Sequence, residues 1–207
     1  MTTSPQTSVS REPLTKSRLL DAAERLMLAR GFSATTVDEI CAAAKRTKGS
    51  FFHYFDSKEA LGKALLDRFC RAAHARLQAA LPAREPDPLR RLHAYCEAVI
   101  AMSAECASRQ GCLLGGFAQE LSDTHPEIRS MCASAFTHWA ATLKRELDAA
   151  RAMHAPRARI DTASLAQHFI AVLEGAKLLA KAERDPAIVG RSLRHFQRYL
   201  EHLFEPA

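Results

Sequence analysis

Apolar residues recur every three or four positions along almost the whole chain, and the strict alternation of a half-buried strand is nearly absent. The pattern predicts an all-α protein of about nine helices. The first covers about 14–30, with Leu19, Ala22, Ala23 and Leu26 as its apolar stripe and Gly31 as its C-terminal stop, after which Phe32 folds back on the stripe. Thr36 and Glu39 have the spacing of a capping box, in which hydroxyl and carboxylate each satisfy an orphan amide, and they open a second helix with Val37, Ile40 and Ala44 facing inward. A linker at Lys45 and Arg46 leads to Thr47, which caps a third helix of about seven residues. Ser57 caps a fourth, from Lys58 to about Ala80.

Pro82, Pro86 and Pro88 then break the helical pattern. A fifth helix is expected at about 88–107, and Gly111 opens a short sixth at about 112–121. Thr124 and Glu127 have the spacing of another capping box, with Pro126 in the first turn of a seventh helix that runs to about 153. Asp161 caps an eighth, to about 184, and Asp185-Pro186 is a cap followed by proline at the first position of a ninth, to about 203. Residues 1–13 are rich in Ser, Thr, Pro and Gln without an apolar core, and read as a disordered tail rather than a signal peptide. The domain reading is tail 1–13, helix-turn-helix head 14–60 and a larger helical domain 61–207.

Composition sharpens this picture in three places. The 207 residues carry a formal net charge of +6, which favours an anionic partner such as nucleic acid. No apolar run approaches the ~20 residues that span a bilayer, so no membrane partner is expected and the location expected is cytoplasmic. Six cysteines stand at 41, 70, 96, 106, 112 and 132 without a Cys-x-x-Cys pair or histidines at zinc spacing, so thiols are expected and neither metal nor cofactor is.

Two short helices joined by a tight turn behind a longer one make a helix-turn-helix, whose second helix reads the major groove of double-stranded DNA. The start of the third helix, Thr47-Lys48-Gly49-Ser50, is suited to close approach, and Gly49 is a poor helix former at a position where nearness to DNA is one reason to keep it. Phe51 and Phe55, four apart, anchor the inner face. From Thr36-Val37-Asp38-Glu39-Ile40 through Thr47-Lys48-Gly49-Ser50-Phe51-Phe52-His53-Tyr54-Phe55-Asp56-Ser57-Lys58-Glu59-Ala60-Leu61, the sequence resembles the TetR family signature. The resemblance implies an all-helical homodimeric repressor released from its operator by a small effector. It implies major-groove contacts for Thr47, Lys48, Gly49 and Ser50, and phosphate contacts for Thr36, His53, Tyr54 and Lys58. Arg46 joins them by its charge and its place in the turn. Phe52 stands where the family often has a DNA-contacting tyrosine; it has no hydroxyl to donate, so that contact is lost or replaced by one to a thymine methyl.

The helices near 161–184 and 186–203 are expected to form a four-helix bundle across a two-fold axis, as in this family. Leu165, Phe169, Val172, Ala176 and Leu179 make the apolar stripe of the first, and Ile188, Leu193, Phe196 and Leu200 that of the second. Gly111-Cys112-Leu113 resembles a segment of an electrophile-sensing branch of the family. Placed in the first turn of the sixth helix, Cys112 would have its pKa lowered by the helix dipole and free amides. In that branch a lysine of the eighth helix works with the cysteine; Lys181 sits at the matching place, and Lys177 one turn earlier. Cys106 is a further candidate, as a resolving thiol. With an inert Cys112, the resemblance implies an apolar or aromatic effector in a pocket among the fifth to eighth helices, with Phe117, Phe136, His138, Trp139 and His168 as candidate lining residues. A cysteine-dependent enzyme with His138 or His168 as base is the alternative from another class, but no Gly-x-Ser-x-Gly, phosphate loop or metal pattern supports other chemistry.

Overall fold

A computed structural model describes residues 14–80, 82, 84–105 and 111–204, so the expected tail at 1–13 and Cys106 lie outside the described residues. Nine helices and no strand occur among the described residues: α1 (Leu14–Arg30), α2 (Val37–Ala44), α3 (Lys48–Tyr54), α4 (Lys58–Ala80), α5 (Pro88–Glu105), α6 (Leu113–Leu121), α7 (Pro126–His154), α8 (Thr162–Glu183) and α9 (Ala187–Phe204). The expected caps form at Thr36, Thr47, Ser57, Asp161 and Asp185. Gly31 ends α1 at φ +92°, a backbone conformation that side chains disfavour.

The second capping box does not form. The backbone amides of Thr124 and His125 both donate to the carbonyl of Leu121, which carries the chain through a turn beyond α6 and moves the cap of α7 to His125. The Thr124 hydroxyl then pairs with His125 Nδ1 at 2.8 Å, and the Glu127 carboxylate is taken by the Lys63 ammonium of α4.

Two apolar cores hold the molecule. One is built from α5, α7, α8 and α9 around Phe169, which packs edge-on against Tyr95, Trp139 and Phe196. The other joins Leu19, Leu20, Ile40 and Phe51 of the head to Leu65 of α4, Leu113, Phe117 and Leu121 of α6, and Ile128 of α7. The head therefore shares its interior with α6, and a displacement of α6 is felt in the head. The buried face of α8 is Leu165, Ala166, Phe169, Ile170, Leu173, Ala176 and Ala180, whereas Leu179, expected on that stripe, is half exposed beside the equally exposed Leu178.

Candidate functional site: a DNA-reading head and a thiol between two cavities

The head is set by local chemistry. The Thr36 hydroxyl accepts from the Glu39 amide while the Glu39 carboxylate accepts from the Thr36 amide, and Arg30 of α1 pairs with the same carboxylate at 2.7 Å. These hydrogen bonds from Thr36, with the Arg30 charge, hold the Glu39 carboxyl below the usual range. Lys45, left-handed at φ 53°, turns the chain between α2 and α3, and its amide returns to the Ala42 carbonyl at 3.1 Å. Arg46 donates to the Lys45 carbonyl within this turn.

Thr47 then caps α3 by accepting from the Ser50 amide at 3.1 Å. Phe51 and Phe55 are buried with their rings 5.7 Å apart, so the opposite face of α3 is turned outward. Thr47, Lys48, Gly49, Phe52 and His53 are exposed there, with Ser50 and Tyr54 partly so. A Cβ on Gly49 would meet nothing closer than the Thr47 hydroxyl, at 3.8 Å. Nothing in the chain's own packing therefore calls for glycine at this position. Lys48 pairs with Asp38 at 2.8 Å; both side chains are well exposed, and such a pair yields readily to a phosphate. Its hydrogen bond to Asp38 raises the Lys48 pKa, so the ammonium stays charged.

Lys58 is placed differently from the expectation of a phosphate contact. Its ammonium is turned inward, donating to the carbonyls of Phe32 at 3.0 Å and Thr35 at 2.9 Å, and lies 4.4 Å from the centre of the Phe32 ring. The same α1–α2 loop is gripped from the other domain. Glu120, near the end of α6, accepts from the amides of Phe32 at 2.8 Å and Ser33 at 2.7 Å. Burial raises the Glu120 pKa, but the bonds from Ser33 and Phe32 and the Lys58 charge outweigh it and hold the carboxyl below its ordinary value.

At its other end α6 begins with Cys112 as the cap residue, one position before the first turn, and without a side-chain capping bond. The thiol pKa is pushed up to about 11, contrary to the lowering expected from a helix N-terminus. Burial among apolar neighbours is the largest cause; the Lys177 ammonium and the Gly115 amide offset it only in part, and the Glu174 carboxylate adds to it. Lys177, one turn before the expected Lys181, is the lysine that lies against Cys112. Its ammonium also pairs with Glu174 at 3.1 Å. The Glu174 carboxylate sits directly over α6, where a side chain on Gly115 would collide with it. Lys181 is exposed.

Cys112, Lys177 and Lys181 border two cavities. The more apolar one, about 330 Å³, lies between α4, α5, α7 and α8, walled by Leu77, Tyr95, Val99, Leu114, Trp139 and Leu173, with His74 and His138 at 5.5 Å on one side. The other, about 340 Å³, lies between α1, α6 and α8 and reaches Glu120. Of the expected lining residues, His138 and Trp139 face the first cavity and Phe117 the second. Phe136 packs into both cores instead, because it falls on the α7 face shared by them. His168 points outward from α8 onto Phe196 and Tyr199, away from both cavities. Cys70 of α4 lines the first cavity beside Cys112 and was missed in the sequence, where the two thiols are 42 residues apart. No cluster of metal-ligating side chains occurs among the described residues.

Comparison with known proteins decides what the head is. Residues 19–65 match the profile of bacterial regulatory proteins of the tetR family, and residues 88–196 match the tetracyclin repressor-like C-terminal domain. The chain belongs to the TetR family. It is a transcriptional regulator whose helix-turn-helix head binds DNA. It is 32% identical to the HTH-type transcriptional repressor DhaR of a Mycobacterium species over 86% of this chain and 87% of that one. It is 31% identical to the repressor NemR of Escherichia coli over 90% and 94%. The crystal structure of reduced E. coli NemR superposes with a TM-score of 0.76 at 32% identity, over 89% of this chain and 95% of that one. A regulatory protein TetR from Rhodobacter sphaeroides superposes with a TM-score of 0.82 at 30% identity, over 90% and 99%. No helix among the described residues is long and apolar enough to cross a membrane.

Proposed function

We propose that this TetR-family protein is a homodimeric repressor, seated on its operator through α2 and α3, and that it leaves the operator when a small electrophile or oxidant modifies Cys112. The observation that carries this reading is the position of Cys112. It borders both cavities, faces an ammonium and a carboxylate, and begins the helix whose far end holds the α1–α2 loop through Glu120. An electrophile entering the apolar cavity meets a protonated thiol. As the sulfur bonds to an electrophilic carbon such as the β-carbon of an unsaturated carbonyl, its proton passes to the Glu174 carboxylate. The Lys177 ammonium stabilises the thiolate as it forms and supplies a proton to the enolate, and Glu174 then passes the thiol's proton to Lys177, which restores the ammonium and the carboxylate.

At the operator, Thr47, Lys48, Gly49 and Ser50 meet the major groove, while Thr36, Arg46, His53 and Tyr54 meet phosphates. Lys58 joins them only by releasing the α1–α2 loop carbonyls. The exposed face of α8, with Leu178, Leu179 and His168, and Tyr199 of α9 meet the same surfaces of a second copy. A dimer presents two such heads to two half-sites. Modification need shift the DNA-competent state by only a few kcal/mol to empty the operator.

A second reading is favoured by the raised thiol pKa and the apolar walls: a non-covalent apolar or aromatic inducer that fills the first cavity while Cys112 remains a packed thiol. One experiment separates the two. A DNA site is selected from a random pool and its anisotropy followed while one equivalent of a maleimide is added to wild type and to Cys112→Ser. Release from wild type alone supports the thiol switch. Retention by both assigns the cavity to a non-covalent inducer, and failure to select any DNA overturns the operator reading.

A further inference from the structure

Tyr95 of α5 carries a hydroxyl that the protein's own packing satisfies only by half. The indole N–H of Trp139 on α7 donates to its oxygen at 2.5 Å, and both side chains line the more apolar cavity. Both rings stand edge-on against Phe169, which holds them in place. An indole can only donate, so the Tyr95 oxygen is the acceptor of this bond and the phenol proton is left for another group. No acceptor takes that proton among the described residues. Tyr95 is only 5% exposed, so the cavity is the place from which a partner reaches it. Burial pushes the phenol above its ordinary pKa, and the Trp139 bond offsets this only in part, so the proton stays on at neutral pH. Accepting one hydrogen bond also polarises the hydroxyl and makes it a better donor.

The other hydroxyls of this cavity are spent. Ser103 donates to the Val99 carbonyl at 2.8 Å, and Thr142 to the His138 carbonyl at 3.1 Å. The Lys177 ammonium is paired with Glu174, and His74, His138 and Lys181 are exposed. Tyr95 thus offers a buried, neutral donor in an apolar wall. We propose that Tyr95 is a specificity-determining residue of this cavity, its hydroxyl donating to one accepting oxygen, such as a ketone's, on an otherwise apolar effector. The proposal rests on the reading of this cavity as the effector site, and is independent of any reactivity of Cys112.

The test is calorimetric titration of the full, reduced chain with acetophenone and with α-methylstyrene, in which a methylene group replaces the carbonyl oxygen and the shape is kept. Neither compound alkylates a thiol. Tyr95→Phe keeps the ring against Phe169 and removes only the hydroxyl. The expected result is that acetophenone binds about five-fold more weakly to Tyr95→Phe, while the affinity for α-methylstyrene stays within about two-fold. Because Tyr95→Phe also frees the Trp139 N–H as a rival donor, the same substitution is made in a Trp139→Phe background, where the loss is expected at full size. Far-ultraviolet dichroism confirms that the variants are folded. Wild type reports without any substitution: the infrared carbonyl stretch of bound acetophenone lies below its frequency in hexane when the oxygen accepts a hydrogen bond.

An unshifted carbonyl stretch, or equal losses for the two ligands on removing the hydroxyl in the Trp139→Phe background, overturns the proposal. If α-methylstyrene still binds in that case, the cavity remains a ligand site and only the role of Tyr95 falls. If neither compound binds wild type, the reading of the cavity as the effector site falls, and the proposal with it.

Discussion

The Glu120 carboxylate joins the two parts of the molecule through two short hydrogen bonds, and removing it has a cost that can be worked out. Its acceptors hold the Phe32 amide at 2.8 Å and the Ser33 amide at 2.7 Å. A hydrogen bond to a charged group contributes about 1.5–3 kcal/mol when shielded. The Ser33 bond is exposed and the Phe32 bond only partly buried, so solvent takes a share and we expect about 2 kcal/mol for the pair. With a urea slope of about 2 kcal/mol/M, Glu120→Ala lowers the unfolding midpoint by about 1 M, measured at one protein concentration because a dimer's stability depends on it. Glu120→Gln keeps one acceptor and turns a donor toward the other amide, so it recovers less than half of the loss.

The pH dependence has a definite sign. The folded carboxyl titrates below its ordinary value, so its stabilisation is complete above the unfolded pKa of about 4.3 and is lost as pH falls through the folded pKa. The gap between wild type and Glu120→Gln is therefore constant from about pH 8 to 5 and narrows below about pH 4. A midpoint shift under about 0.3 M, or a gap that closes near neutral pH, would refute the reasoning.

Three further outcomes follow from the same geometry. The Cys112 thiol is pushed up to about 11, so its alkylation by iodoacetamide rises about ten-fold per pH unit from 7 to 10; a plateau below pH 9 would contradict burial as the dominant influence. Gly49→Ala stabilises the protein by about 0.5–1 kcal/mol, because the new methyl meets only the Thr47 hydroxyl at 3.8 Å, yet it weakens operator binding; thermal melts and anisotropy on one sample check the opposed signs. Lys48→Ala weakens DNA binding and lowers the slope of log K against log salt by about 1, whereas a base contact without a phosphate contact would leave the slope unchanged.

The head was legible because its determinants are local. The Thr36 and Thr47 caps, the Gly31 stop and the Phe51–Phe55 anchor each depend on residues within a few positions of one another. Helix positions in the larger domain were legible for the same reason. Choices among partners were not. Thr124 and Glu127 had the spacing of a cap, but the turn after α6 and the Lys63 ammonium, 64 residues away, claimed both backbone and carboxylate. Lys177 and Lys181 are one turn apart, and only the packing of α8 against α6 selects Lys177 for Cys112. The thiol's raised pKa likewise reflects burial supplied by distant segments, which outweighs the end of a short helix. Glu120 carried no signal at all, because the two amides it binds lie 88 and 87 residues away.

We propose that these long-range contacts make α6 the lever between thiol and head, beside α4, which links the two domains. Nine helical residues span about 14 Å, from the thiol at one end to the Glu120 carboxylate near the other. The body of α6 is not free to bend, since Leu113, Leu114, Phe117 and Leu121 are buried in the core that also contains Ile40 and Phe51 of the head. At the thiol end the Glu174 carboxylate already occupies the space over Gly115. We propose that an adduct on Cys112 that reaches over Gly115 displaces either the Glu174–Lys177 pair or α6 itself. Parting the pair would strand an ammonium and a carboxylate that are both mostly buried, which costs more than a small translation of a helix. Movement of α6 then pulls on the Phe32 and Ser33 amides and tilts the loop that leads into α2. Glu120→Gln should accordingly keep operator affinity while reducing the fraction released by a Cys112 adduct. Unchanged release in that variant would place the coupling in α4 alone.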